Sequence, residues 1–585
     1  MRRHHDAGRR RRIAFAACVT FAVAAAACAN PPQQEIADWP ASWPHRDPLV
    51  ARGERAMVVT DAPLATHVGV DVLRRGGNAV DAAIAIAFAL AVVYPEAGNL
   101  GGGGFLVARL ADGSAAALDF REVAPRAATR DMFLDADSNV TDRSITGHQA
   151  SGVPGAVAGL HAAHERYGIL AWDTLIAPAI RLADEGFTVD AELASSVAAA
   201  ADRLRRFDAS AALFLPADQP ITAGATWRNP DLAAVLRRIA ERGPAGFYEG
   251  ETADLIVREM QRGGGLITHE DLRAYRAEWR VPVRFTYRRH VVLSMPPASS
   301  GGITLGLMAG MLDGFAPRDD AWHAPRALHR TGEAMRRAFA DRNTFLGDPA
   351  FVDIPARLTE RGYIDSLRAT IDDAQSTPSP TVRPGLGVAL ESDHTTHFAV
   401  VDEYGNAVAL TTTINDLYGS AVTVAGAGFL LNDEMDDFTS RPGVPNMYGL
   451  VQGAANSIEP GKRMLSAMTP TIVLARDGSP LLITGARGGP RIITAVLQVI
   501  GNVIDHDMDI GRAVWAPRLH HQHLPDVLFH EAGGLDSTTI AALAALGHTV
   551  RPYSGYIGNA PGILRRAGAW TGTADPRRGG LALGY

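Results

Sequence analysis

Apolar positions change their spacing along this chain and divide it into a leader, a helix-rich first part and a strand-rich last part. Ile13 to Ala27 is an uncharged apolar run directly behind Arg9-Arg10-Arg11-Arg12. A basic segment followed by about fifteen apolar residues reads as a secretory leader, too short for a spanning helix. The four arginines also fit the twin-arginine export route. Asn30 to Arg55 is polar, with Pro and Trp, and reads as an extended arm. Val58-Val59-Thr60 predicts a short strand and Pro63 to Gly76 a helix. Asn78 to Val93 is nearly all apolar, opened by Asp81 and stopped by Tyr94-Pro95. It falls short of the roughly 20 residues of a membrane span, so it reads as a core helix. Leu100 to Gly104 precedes the strand-like Phe105 to Ala108. That glycine run lacks the Gly-Lys-Ser/Thr of a phosphate loop, which leaves close backbone approach as its reading.

Residues 155 to 275 read as mostly helical, with examples at Ala156 to Tyr167, Thr174 to Glu185 and Asn229 to Glu241. Arg284 to Ser294 has strand character, Pro296 to Gly302 forms a stiff turn, and Ile303 to Leu312 is an apolar helix. His323 to Arg342 is amphipathic. Asp372 to Val388, rich in Ser, Thr and Pro, reads as an exposed linker or mobile loop. Beyond it the period shortens. Thr396 to Val401 and Ala407 to Ile414 flank the turn residues Glu403-Tyr404-Gly405-Asn406 and predict a hairpin. Strands follow at Thr471 to Ala475 and Leu481 to Thr484, then a helix over Ile492 to Ile504. The pattern supports a layered α+β or α/β protein and goes no further.

Composition removes several classes of chemistry. The 585 residues carry a net charge of −7, so no basic surplus argues for nucleic acid. Lys462 is the single lysine among 56 basic residues, which disfavours Schiff-base cofactor chemistry. The two cysteines, Cys18 and Cys28, both lie in the first thirty residues, so neither belongs to a multi-cysteine metal site or a disulfide framework. Cleavage after Ala27 would leave Cys28 first, as in a lipid-anchored protein; Ala27-Cys28-Ala29 also fits an ordinary signal. Length alone suggests roughly three or four domains, or one very large intertwined one.

Among candidate groups, His520-His521-Gln522-His523 has no acidic or histidine partner at a metal-binding helical offset. No Gly-x-Ser-x-Gly elbow stands near a triad-ordered Asp and His. Lys462, within Gly461-Lys462-Arg463, reads as an electrostatic contact and not as a base. Hydroxyls remain. Asp393-His394-Thr395-Thr396-His397 lies between the Pro/Ser stretch and the hairpin. A hydroxyl nucleophile needs a base, and a chain-terminal α-amine with a reference pKa of nearly 8 is one solution. Two strand-forming threonines beside a loop is the plainer reading of the same residues.

Thr395 to Asp402, followed by Gly405 to Ala409, closely resembles the start of the small subunit of gamma-glutamyltransferases. Blocks at Gly101 to Phe105, Leu118 to Glu122, Pro296 to Gly302, Leu430 to Tyr448 and Ser457 to Ile493 match in the family's order. The resemblance covers essentially the whole mature chain. It implies an N-terminal-nucleophile hydrolase, α+β, with a four-layer αββα sandwich formed jointly by two chains. A precursor with leader 1–28 would be cut between His394 and Thr395 into a large chain, 29–394, and a small chain, 395–585. One composite domain would then replace the several that length suggests.

The resemblance also implies roles. Thr395 would be the nucleophile and Thr413 its hydrogen-bonding partner. Arg121 and Ser466 would hold the substrate's α-carboxylate, and Asn415, Glu434 and Asp437 its α-amino group. The amides of Gly488 and Gly489 would form the oxyanion hole. Substrates would be glutathione and other gamma-glutamyl compounds, with water, amino acids or dipeptides as acceptors, and with no cofactor or metal. A cover over the pocket would come from Phe438 to Gly449. The location implied is periplasmic, with Cys28 a possible lipid anchor. Two departures stand out: a serine pair of the family reads Ser466-Ala467, and its Gly-Ser-Pro-Gly-Gly-Ser block reads Gly485-Ala486-Arg487-Gly488-Gly489-Pro490. The alternative is a glutaryl or cephalosporin acylase of the same fold. Retention of Arg121, Asn415, Glu434 and Asp437 favours glutamyl recognition.

Overall fold

Two seven-stranded antiparallel sheets organise the protein, which a computed structural model describes over residues 39–316, 320–382, 395–447 and 449–585. The leader with Cys28, residues 383–388 of the Pro/Ser stretch, His394 and Tyr448 lie outside the described residues. The first sheet runs Leu581–Gly584, Met57–Thr60, Thr396–Val401, Ala407–Thr413, Gly103–Arg109, Ala115–Asp119 and Glu278–Arg280. The second runs Val50–Gly53, Ala569–Thr573, Gly562–Arg566, Pro480–Thr484, Thr471–Leu474, His290–Ser294 and Val283–Tyr287. Each sheet interleaves strands from before and after residue 394.

Strand alternation assigns the layers. Phe398, Val400, Val408 and Leu410 share a core with the helix Ala79–Val93. The intervening Met57 and Val59 lie against Gly572 of the second sheet. Successive side chains point to opposite faces, so the first sheet has helices on one side and the second sheet on the other. Gly301–Asp313 and Ile510–Trp515 pack against the second sheet. Ala79–Val93 is buried along its whole length, which explains its nearly unbroken apolar sequence. Asn78 accepts from the amides of Val80 and Asp81 while Asp81 accepts from Asn78, a reciprocal cap that starts the helix where the sequence expects it. Among the described residues no helix is long and apolar enough to cross a membrane.

From Asp38 to Tyr585 the chain is one compact unit, which corrects the three or four domains suggested by length. Arg284 to Ser294 is two strands, since Arg288 and Arg289 turn the chain at φ of 48° and 69° with none of the usual turn residues. The stretch from Asp372 is no free linker in its described part. Ser376 and Ser379 are buried, and the Ser379 hydroxyl accepts from Arg336. The arm before Arg55 is anchored as well: Trp43 is buried against Trp515, with ring centroids 5.0 Å apart.

Asp402 pins the hairpin. Its carboxylate accepts from the amides of Tyr404 and Asn406, from the Asn406 side chain, and from the amide of Ala79 at the first turn of the core helix. Asp402→Ala is expected to lower stability by about 2–3 kcal/mol, because buried donors lose a charged acceptor. Denaturant unfolding of the two proteins side by side measures this.

Candidate active site

The hairpin places Thr395. Thr396 pairs with Thr412 and Val401 with Ala407, so one step further along the ladder Thr395 stands opposite Thr413. Directly opposed residues of antiparallel strands lie about 4.5–5.5 Å apart, within reach of two short hydroxyl side chains. Both threonines are buried and both line one narrow cleft. Arg121, Arg342, Asn415, Asp437, Ser466, Ala467 and Gly489 share that lining.

Past Thr413 the chain turns sharply at Asn415, whose φ is 75° and whose amide donates to the Thr413 hydroxyl at 2.8 Å. Asparagine tolerates this left-handed conformation. Its side-chain amide donates to the Asp433 carbonyl at 3.0 Å and lies 3.7 Å from the Met447 sulfur, in the segment expected to cover the pocket. In that segment Arg441 to Gly443 are exposed while Leu450, just beyond it, lines the cleft.

Glu434 and Asp437 sit on one short turn, Glu434–Asp437. The glycine run explains how it is held. A side chain on Gly101 would come within 2.1 Å of the Leu430 carbonyl, and Asn432 donates to the carbonyl of Gly101. Close approach is therefore the function of that glycine. Arg121 follows the strand Ala115–Asp119. Its amide is held by Asp119, and its carbonyl accepts from Tyr275 at 2.8 Å.

The charges around Arg121 do not balance. Its guanidinium lies 2.6 Å from Glu434, bonds to Asp437 and stands 3.7 Å from Glu122, all four groups being buried. Burial alone would lower the Arg121 pKa, but Glu434, Asp437 and Glu122 outweigh it and raise it. Burial pushes Glu122 up to about 7 against the pull of Arg121, and it raises Glu434 and Asp437 in the same way. Neither oxygen of Glu434 or Glu122 is in hydrogen-bonding alignment with a partner. Three carboxyl groups around one arginine leave room for another cation.

Arg342, on the helix Pro325–Phe345, presents the opposite imbalance and was not among the residues expected from sequence. It donates through Nε to Ser300 at 3.0 Å and through Nη1 to Asn343 and Gln452 at 3.0 and 3.3 Å. Its Nη2 is buried without a hydrogen-bond partner. Burial lowers its pKa to about 10, opposed by Asp437. No carboxylate among the described residues stands within 4 Å of it. The amphipathic pattern that predicted its helix carries no signal that this arginine lines the cleft.

Ser466 lines the cleft, its hydroxyl accepting from the Met468 amide at 3.1 Å. Gly488 and Gly489, at φ of 126° and 51°, form the turn that enters the helix Arg491–Ile504. The positive end of that helix favours developing negative charge. Gly489 lines the cleft with Thr395, whereas Gly488 lines a neighbouring cavity with Tyr556 and Asn559. Arg487 is buried and bonds to Tyr94 and Glu96, away from the cleft lining. The sequence-adjacent histidines are occupied otherwise: His520 bonds Thr494 and Gln522, and His521 faces Asp526. His329, Glu333 and His548 gather ligand-type atoms within 4.8 Å. There Arg336 and Arg337 hold the carboxylate, while His548 and the Asp372 carbonyl take the His329 nitrogens.

The family profile described as Gamma-glutamyltranspeptidase matches residues 65–585. The chain belongs to this family. Within it, the glutathione hydrolase proenzyme of Escherichia coli K12 is 43% identical over 581 residues, covering 98% of this chain and 99% of that one. A solved gamma-glutamyltranspeptidase of Helicobacter pylori is 40% identical with a TM-score of 0.56, over 60% of this chain and 99% of that chain. A cephalosporin acylase of Bacillus halodurans superposes with a TM-score of 0.81 at 27% identity, over 95% of this chain and 99% of that one. The gamma-glutamyltranspeptidase fold is thus the fold of this chain, α+β and of the N-terminal-nucleophile hydrolase kind, and gamma-glutamyl transfer and hydrolysis are its chemistry.

Proposed function

We propose that this protein matures by cutting its own chain before Thr395 and then uses that threonine to take gamma-glutamyl groups from glutathione and related amides. The Thr395 hydroxyl attacks the His394 carbonyl carbon, and the peptide bond shifts to an ester. That shift breaks the C–N bond and frees the Thr395 α-amine. Water then cleaves the ester, releasing the His394 carboxylate and restoring the Thr395 hydroxyl. The amine becomes the base for the second use of the hydroxyl. The cleft lining supports this assignment, since among the described residues it includes no histidine or lysine that would serve instead. Two chains, ending and beginning at this bond, would form the four-layer αββα sandwich as a heterodimer. Interleaved strands in both sheets are compatible with that, and so is the Helicobacter pylori chain that aligns over 99% of its own length but 60% of this one.

In turnover the acyl group moves from the leaving amine to the Thr395 hydroxyl, and then to water or to the amine of an amino acid or dipeptide. Thr413 orients the nucleophile. The amides of Gly488 and Gly489 stabilise the oxyanion at the helix N-terminus. The ammonium of the glutamyl head enters the acidic side of the cleft, against Asp437, Glu434 and Asn415. Arg121 and Ser466 receive its carboxylate. The observation that carries this reading is the hairpin register that opposes Thr395 and Thr413 beside an acid-rich pocket. We further propose export to the periplasm, with Cys28 the site of any lipid anchor.

Purified protein should resolve into two bands, the smaller beginning at Thr395, and should release cysteinylglycine from glutathione. The likeness to a cephalosporin acylase, together with Ala467, favours one rival, an acylase of the same fold. Activity on glutaryl amides without activity on glutathione would decide for it.

A further inference from the structure

We propose that Arg487 is a positioning residue, which fixes the Gly488-Gly489 oxyanion turn against the strand that carries Thr395. This role rests on the gamma-glutamyl reading above, which supplies both the nucleophile and the oxyanion donors.

In the family's block the residue before Gly-Gly is a proline, whose ring restricts the chain entering the turn. Arg487 has no ring, and burying a guanidinium is costly unless charged partners receive it. Just past the core helix Ala79–Val93, two buried groups do so. Arg487 bonds the Tyr94 hydroxyl and lies 3.3 Å from Glu96. Glu96 is itself fixed, its carboxylate by the Ser196 hydroxyl and its carbonyl by the Tyr418 amide at 3.2 Å. Burial would raise the Glu96 pKa, but Arg487, Arg578 and the neighbouring hydroxyls outweigh it and lower it, so the pair is ionic. The backbone is held as well. The Arg487 amide donates to the Asn559 carbonyl at 2.9 Å, and the Asn559 amide donates to the Arg487 carbonyl at 3.1 Å. That carbonyl shares one planar peptide group with the Gly488 N–H, so fixing the first aims the second.

The same partners reach the nucleophile's strand. Asn559 donates through its side chain to Asp61 at 3.2 Å, and Asp61 accepts from the Thr396 hydroxyl at 2.9 Å. Burial raises the Asp61 pKa to about 6 and Arg487 opposes it, so one guanidinium stabilises both carboxylates. A side chain on Gly485 would come within 2.4 Å of the His397 ring, so loop and strand also approach closely there. Nucleophile strand and oxyanion turn thus share one buried frame, from Thr396 through Asp61, Asn559 and Arg487 to Glu96. Amide donors act only where the oxyanion's charge develops, and a displacement of about 1 Å can cost about 100-fold.

Two inhibitors with the same α-amino-acid head separate positioning from general damage in the two-chain enzyme. One is the glutamate analogue with a boronic acid in place of its side-chain carboxyl; the other is norvaline, which ends there in a methyl group. The boron takes the Thr395 oxygen and becomes a tetrahedral anion that needs the oxyanion donors, and norvaline needs none. Arg487→Met is expected to raise the inhibition constant of the boronate about 10- to 100-fold and that of norvaline less than about 3-fold. Unfolded protein moves neither constant. Arg487→Met/Glu96→Gln removes the anchor without leaving a buried charge unpaired, so it should be more stable than Arg487→Met and show the same selective loss. If Arg487→Met does not mature, the double variant and Arg487→Lys are read by the same ratio. Equal losses for the two inhibitors, no loss, or full recovery in the double variant would overturn the proposal. If the unsubstituted enzyme binds the boronate no more tightly than norvaline, the Thr395 reading itself fails. If it does discriminate and Arg487→Met discriminates equally, only the role of Arg487 falls.

Discussion

Thr395→Ala should yield one uncleaved chain with γ-glutamyl turnover reduced by at least about 10⁴-fold, because the same hydroxyl serves maturation and catalysis. Thr395→Ser is the informative partner. It keeps a hydroxyl at the head of the strand, so it should still cleave and retain measurable activity. Gel analysis reports the first function and anilide hydrolysis the second. A Thr395→Ala protein that still splits and still hydrolyses would place the nucleophile elsewhere. Both outcomes depend on the strand head being held, and the pairing of Thr396 with Thr412 holds it. Loss of maturation in Thr395→Ala would therefore not reflect a displaced hairpin, because neither the ladder nor the Asp402 turn includes the substituted side chain.

Asp437→Ala carries the second large effect. Removing one partner of a buried charged pair costs about 2–4 kcal/mol, or roughly 30- to 1000-fold in kcat/KM on γ-glutamyl substrates. Asp437 bonds Arg121 and lines the cleft, so part of the loss would come from an arginine left with Glu434 and Glu122 alone. Glutaryl anilide distinguishes the two contributions, since it lacks the ammonium that Asp437 is expected to meet. A loss confined to ammonium-bearing substrates supports direct recognition. A loss shared by glutaryl anilide points to displacement of Arg121, and unchanged KM and kcat would mean that the amino group is not read at this position.

Local periodicity sufficed for much of the secondary structure. The core helix at Ala79–Val93, the hairpin of Thr396–Val401 and Ala407–Thr413, and the helix Arg491–Ile504 each fall within a residue or two of their expected bounds. Each is determined by short-range features: a cap at Asn78, an Asx turn at Asp402, and a Gly-Gly-Pro start. Failures occurred where distant partners decide. Ser379 reads as linker by composition, and only Arg336 and Asp526, far away in the chain, make it a buried anchor. Trp43 reads as part of an arm until Trp515 packs on it.

The same division applies to the cleft. Thr413 is legible opposite Thr395 once the hairpin turn is set, because an antiparallel register is arithmetic from the turn outward. The motif residues Arg121, Asn415, Glu434, Asp437, Ser466 and Gly489 are legible through family resemblance, and the structure gathers them around one cavity or directly behind it. Gly488 turns to a neighbouring cavity, a distinction that two successive glycines cannot express in one dimension.

What the sequence by itself determined is the order of elements, the family and the residue types that bear the chemistry. Those follow from periodicity, capping and motif, which act over a few residues. Only the tertiary structure decided the balance of charge: three buried carboxyl groups converge on Arg121, while among the described residues none stands within 4 Å of Arg342. Burial and pairing are properties of neighbours brought together from the whole chain, and an arginine on an amphipathic helix reads the same whether its partner is water, a carboxylate or a substrate.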